Sequence, residues 1–193
     1  MSKTTQQDKN TSAEIDTKME NCDQIDGSIR FDIVIAGGGL SGALMAQSLA
    51  SLQNAQGQKL AIAIVEATPV KQNLSLTFDD RVLALSHGTA AYLEQLNIWS
   101  KLDTDATPIT DIHISDRSHY GKARINAVEH NVNALGYVIE MALIGKGLIN
   151  AVKNHDNVTW FCPDKIDKIV WQKSHVYITL ESGQKLTSTL LIG

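Results

Sequence analysis

A largely apolar run, Phe31-Asp32-Ile33-Val34-Ile35-Ala36, leads straight into Gly37-Gly38-Gly39-Leu40-Ser41-Gly42 and then into Ala43-Leu44-Met45-Ala46-Gln47. The glycines at 37, 39 and 42 spell G-x-G-x-x-G between a strand and a helix, the context in which that spacing has meaning. Gly37 permits a tight exit from the strand, where φ can be positive. Gly39 lacks a Cβ, so a pyrophosphate can approach the backbone, and Gly42 lets the helix lie close on the sheet. The helix that follows directs its free N–H groups and positive dipole end at the phosphates. Ala43, Ala46 and Ala50 continue a small-residue face at helical spacing, as close packing on a strand requires.

A second strand is expected at Leu60-Ala61-Ile62-Ala63-Ile64-Val65-Glu66, apolar throughout as a strand covered on both faces should be. It ends in an acid a little over twenty residues beyond the last glycine, the position from which a carboxylate accepts hydrogen bonds from ribose hydroxyls. The same charge repels a 2′-phosphate. Polar residues Gln53 to Gln58 lengthen the turn between helix and strand. Taken singly, the glycine run can be an ordinary turn and Glu66 a solvated strand end. Strand, glycines, helix, strand and terminal acid in that order indicate a dinucleotide site.

The chain has 193 residues, 43% apolar and 20% charged, which suits an ordinary globular fold with one core. Its net charge of −4 and lack of a basic stripe exclude nucleic acid as a partner. No apolar run has the length of a membrane span, and the N-terminus lacks the apolar stretch of a signal peptide. Cys22 and Cys162 have no partner motif, so neither a disulfide framework nor a zinc site follows, and a cytoplasmic, reducing compartment fits best. Cys162 ends an apolar strand and is expected to be buried, whereas Cys22 is a bystander.

Residues 1–29 are polar and mixed in charge and read as a disordered leader, followed by one domain over 30–193. After the βαβ unit, Asp79-Asp80-Arg81 forms a polar entry into a short apolar stretch. Ser86 caps a helix over 87–97 whose inner face carries Ala90, Leu93 and Leu96, with Trp99 and Leu102 extending the packing. Pro108 separates this from Ile109 to Ser115, where Ile112 and Ile114 alternate with polar residues, the period of a half-buried strand. Weaker strands are expected at 123–128 and 137–141, then a helix carrying Ile144, Leu148, Ala151 and Val152. From residue 158 onward the pattern is β: short strands at 158–161 and 165–172, clean alternation of Val176, Ile178 and Leu180, a tight turn at Ser182-Gly183, and a last strand over 185–192. Such a strand ordinarily enters a loop at the functional edge of its sheet. The sequence stops at Gly193, so it reads as interrupted.

Gly37 to Gly42, Glu66, Phe78-Asp79-Asp80-Arg81-Val82-Leu83-Ala84-Leu85, Ile112-His113-Ile114-Ser115-Asp116-Arg117 and Phe161-Cys162-Pro163-Asp164 together resemble the ubiquinone-biosynthesis FAD-dependent hydroxylases, within the para-hydroxybenzoate hydroxylase-like flavoprotein monooxygenases. The resemblance runs from residue 31 to the end and implies an α/β fold: a Rossmann-like FAD-binding βαβ domain with a β-meander, truncated before the substrate-binding sheet, with part of the substrate-domain elements at 109–141. It implies FAD as cofactor, with Gly37, Gly39 and Gly42 at the pyrophosphate and Glu66 at the adenosine ribose. Arg81 would reach the flavin and its phosphates. Spacing alone leaves Arg81 equally well a solvated partner of Asp79 or Asp80. Glu140 falls near a further polar flavin contact.

The resemblance also implies hydroxylation of a polyprenylated phenol with NAD(P)H as transient reductant and dioxygen, peripheral association with the cytoplasmic membrane or with a ubiquinone-biosynthesis complex, and no metal. Asp116 and Arg117 read as a charged turn rather than an acid–base pair, and His87, His113, His119 and His130 show no ligand spacing. Family members continue past this C-terminus with an Asp-Gly motif, a substrate sheet and a Gly-Asp motif. The isolated chain is therefore expected to aggregate and to hold FAD weakly, and no catalytic residue is assigned. Two other readings stay open: a non-catalytic FAD- or nucleotide-binding fragment of a broken gene, and a fragment of an NAD-linked dehydrogenase. The second calls for further βα units after Glu66, against which the β-rich stretch from 157 to 192 argues.

Overall fold

The two apolar runs that flank the glycines become the central strands of the protein. In a computed structural model that describes residues 27–69, 81–116 and 120–193, β1 (Ile29–Ala36) pairs in parallel with β2 (Ile62–Val65), with Ile33 opposite Ile62 and Ala36 opposite Val65. Of the leader expected over 1–29, residues 1–26 lie outside the described residues, as do Cys22, Asp79, Asp80, Arg117 and His119, while Ile29 already belongs to β1. Helix α1 (Leu40–Leu49) bridges β1 and β2, and its small face is buried at Ala43, Ala46 and Ala50. The polar segment before β2 folds as the expected turn, with the Asn54 side-chain carbonyl accepting from the N–H groups of Gln56 and Gln58.

The chain then leaves this layer. β3 (Val82–Ser86) leads into α2 (His87–Gln95), and the Ser86 hydroxyl accepts the Thr89 N–H at 3.1 Å, the cap the sequence specifies. Ala90 and Leu93 are buried. β4 (Thr107–Ile109), β5 (Asp111–Ser115), β6 (Lys122–Asn126) and β7 (Gly136–Glu140) follow. β3, β7 and β4 make a three-stranded antiparallel sheet, while β5 and β6 pair only with each other. Pro108 does not separate elements: it lies inside β4, at the edge of that sheet, where a missing N–H is tolerated.

The β5–β6 hairpin corrects a second expectation. Its register sets Ile112 opposite Ile125 and Ile114 opposite Ala123, so one face is apolar as the alternation indicates. Yet Ile112 and Ile114 are 37% and 53% exposed, because no layer of the described residues covers that face.

Helix α3 (Met141–Lys153) returns to the first layer, burying Ile144, Leu148 and Val152. β8 (Val158–Phe161) adds in parallel beside β2. β9 (Ile166–Trp171), β10 (Val176–Leu180) and β11 (Lys185–Ile192) form an antiparallel meander, closed at Gly183 with φ +86°. β11 then pairs in parallel with β1, giving the order β8-β2-β1-β11-β10-β9. β10 meets β11 over Lys185 to Ser188, whereas β1 pairs with it from Leu186 to Ile192. Val176, Ile178 and Leu180 pack on Val34, Ala63 and Val65, while Ile33, Ile35, Ile62 and Ile64 face the helices. This double coverage is why β2 is buried at all four positions.

Replacing Ile64, which is fully buried, with alanine should cost about 2–5 kcal/mol, whereas Ile114→Ala on the uncovered hairpin should be near neutral. Urea unfolding checks this: the Ile64→Ala midpoint should fall at unchanged slope and the Ile114→Ala midpoint should hold.

Candidate nucleotide site

β1 delivers the chain to the glycine turn at the C-terminal end of the parallel strands. Gly37 has φ +108°, the left-handed excursion the tight exit demands, and its N–H donates to Val65 O at 2.8 Å. A Cβ on Gly42 would strike the Gly37 carbonyl, so only glycine lets α1 start this close to the turn. A Cβ on Gly39 would meet nothing within 4 Å, which leaves open space above the first turn of α1. The N–H groups of that turn have no intrahelical acceptor, so the space is bounded by donors at the positive end of the helix dipole.

That space opens into a cleft of about 590 Å³. Gly37, Gly39, Leu40, Ser41, Gly42 and Met45 form one side, and Met141, Ile192 and Gly193 the other. The first residue of α3 and the last of β11 thus reach the same place as the glycine turn.

Glu66 stands at the side of the turn. Its Oε2 accepts the Gly38 N–H at 2.6 Å and its Oε1 accepts the Thr68 N–H at 2.7 Å. Each oxygen keeps a further acceptor position, since an ionised carboxylate offers about four. The carboxylate is oriented by backbone and still able to take two hydroxyls. The main chain of Glu66 is also fixed: its N–H donates to Phe161 O and its carbonyl accepts from Asp164 N–H, both at 2.9 Å. Asp164 is held in turn, accepting the Ser182 hydroxyl at 2.5 Å, and this hydrogen bond leads the causes that pull its carboxyl below the ordinary value of 3.8. Cys162 in the same loop is half-buried rather than buried, because the strand ends before it. Its Sγ–H donates to Thr68 O at 3.3 Å.

The structure thus brings Gly37, Gly39, Gly42 and Glu66 together. Arg81 does not line the cleft, but its carbonyl accepts the N–H of Met141, which does, at 3.0 Å. Its side chain is exposed, as is that of Glu140 at the start of α3. Asp116 follows β5, away from the turn in sequence and in an exposed position. No group of three or more His, Cys, Asp or Glu suited to a metal occurs among the described residues. The sequence did not single out Met45, Met141 or Trp160. The first two carry no motif, and Trp160 reads as one more apolar strand residue.

The donors and the open floor at Gly39 fit a pyrophosphate, and Glu66 fits a vicinal diol. Known proteins are similar to this chain in sequence and in fold. No family model matches the chain. The human mitochondrial ubiquinone biosynthesis monooxygenase COQ6 is 30% identical over 179 residues, covering 84% of this chain and 36% of that protein. The ubiquinone hydroxylase UbiM of Neisseria meningitidis is 25% identical over 170 residues, covering 86% and 36%. This chain therefore spans little more than a third of the length of the curated relatives it matches. Among solved structures, p-nitrophenol 4-monooxygenase PnpA from Pseudomonas putida superposes with a TM-score of 0.64 at 16% identity, covering 84% of this chain and 40% of that one. The flavin-dependent monooxygenase PieE, solved with FAD and substrate, does so with 0.64 at 18% identity, covering 87% and 30%.

Two outcomes test the geometry. Gly42→Ala should cost about 1–3 kcal/mol by forcing the turn off α1, seen as a lowered thermal midpoint. The depressed Asp164 carboxyl contributes stability that is present above its ordinary value of 3.8 and lost as pH falls through its lower folded value. Asp164→Asn should therefore unfold earlier than the native chain at pH 7, and the gap should narrow in acid. A gap that is constant with pH contradicts this. In sequence the chain is similar to part of the ubiquinone biosynthesis monooxygenases and ubiquinone hydroxylases, and it shares its fold with solved flavin-dependent monooxygenases.

Proposed function

We propose that the chain is the FAD-binding part of an aromatic hydroxylase of ubiquinone biosynthesis that acts on a polyprenylated phenol with NAD(P)H and dioxygen. The observation that carries this is the junction of three features at one point: the glycine turn, the Glu66 carboxylate held 2.6 Å from Gly38 N, and a cleft of about 590 Å³ reaching Met141 and Gly193. A simple phosphate site needs only the first.

In this reading the first turn of α1 and the backbone at Gly37 and Gly39 hold the pyrophosphate, and Gly42 keeps the helix near enough to do so. Glu66 orients the adenosine ribose and disfavours a 2′-phosphate. Arg81, tied to Met141 through its backbone, extends its guanidinium toward the phosphates and flavin. Glu140 provides a second polar contact. FAD, once bound, supplies the redox and oxygen-activating chemistry, and the protein's part is to orient it and exclude water. The three-stranded sheet and the β5–β6 hairpin belong to the substrate side, and a lipid-tailed substrate calls for docking at a membrane surface. No helix among the described residues is long and apolar enough to cross a membrane. The meander returning to β1 disfavours the dehydrogenase reading, which calls for further βα units at that point.

Titration of the purified chain with FAD, followed by flavin fluorescence, should show saturable binding that ADP competes away. Glu66→Ala should weaken it by about tenfold or more, for the loss of charge-assisted hydrogen bonds to the ribose. Hydroxylation by this chain alone is not expected. NAD binding in preference to FAD would overturn the proposal.

A further inference from the structure

Position 38 is the variable x of the glycine signature, yet here it admits no side chain. A Cβ built on Gly38 would lie 2.6 Å from Cζ3 of Trp160, 3.0 Å from the Glu66 Cβ and 3.3 Å from the Glu66 Cγ. Trp160 comes from β8, in register with Ile64 of β2, and packs on the helix-side core. Its neighbour Phe161 accepts the Glu66 N–H at 2.9 Å. One short strand therefore touches both partners of the Gly38–Glu66 hydrogen bond: its backbone holds Glu66, and its indole stands against Gly38.

The indole Nε1–H is buried and has no hydrogen-bond partner among the described residues. A buried tryptophan ordinarily satisfies that donor, and leaving it unpaired is unfavourable. The residue's contribution here is thus its bulk rather than its polar edge. Trp160 is half-buried against the core, and its rigid ring does not yield as the tip of a flexible chain would.

We propose that Trp160 is a positioning residue for the nucleotide site: its ring is the wall against which the glycine turn rests, and it sets the distance between Gly38 and Glu66. Removing the ring lets the turn recede, so the carboxylate loses its alignment although the three signature glycines and Glu66 are intact. The ring also accounts for glycine at position 38, which the signature does not require. This rests on the nucleotide reading above.

A double-mutant cycle on the full chain tests it, with FAD as the probe and Gly38→Ala and Trp160→Leu as the variants. In the native background Gly38→Ala should weaken FAD binding by about tenfold, and in the Trp160→Leu background by less than about threefold. A second readout needs no nucleotide: hydrogen exchange at the Gly38 amide should be about tenfold faster in Trp160→Leu than in the native chain. Penalties that simply multiply in the double variant, or an unchanged Gly38 exchange rate, overturn the proposal. If the native chain takes up no FAD, the nucleotide reading fails, and the exchange rate still decides the role of Trp160.

Discussion

The hydrogen bond from Gly38 N–H to the Glu66 carboxylate joins the end of β1 to the end of β2, and the rest of the site is arranged around it. It requires two parallel strands in the register observed, with Ala36 beside Val65. It requires a turn without side chains at 37, 38 and 42, for three different reasons: positive φ at Gly37, the Trp160 ring beside Gly38, and the Gly37 carbonyl beneath Gly42. A carboxylate held at both oxygens by backbone N–H groups is oriented before any ligand arrives, so less ordering is needed at binding.

That alignment is supported from the far side of the sheet. β8 and the loop after it hold the Glu66 main chain, and Asp164 ties the loop to the meander turn through Ser182. The meander in turn buries its own apolar residues on β1 and β2. Residues more than a hundred positions beyond the glycines thus stabilise the geometry at the glycines. These contacts centre on the first two strands.

The other half of the architecture is built differently. The three-stranded sheet packs on the helix side through Ile139 and α2, whereas the β5–β6 hairpin carries an apolar face that no described layer covers. Two strands alone are marginal in water.

Local pattern determined the elements of this protein: the βαβ unit, the Ser86 cap, the amphipathic helix at 141–153 and the alternating strands were legible because helix and strand periods and capping chemistry act over a few residues. The glycine turn and Glu66 were legible for the same reason, since their spacing encodes one short unit. Only the tertiary structure decided that β11 returns to pair with β1, that Pro108 sits in an edge strand, and that Ile112 and Ile114 stay exposed. It alone brought Trp160 and Met141 to the site. These outcomes depend on which distant surfaces meet, and an apolar residue in a strand looks the same in sequence whether it fills a core, walls a binding loop or faces solvent.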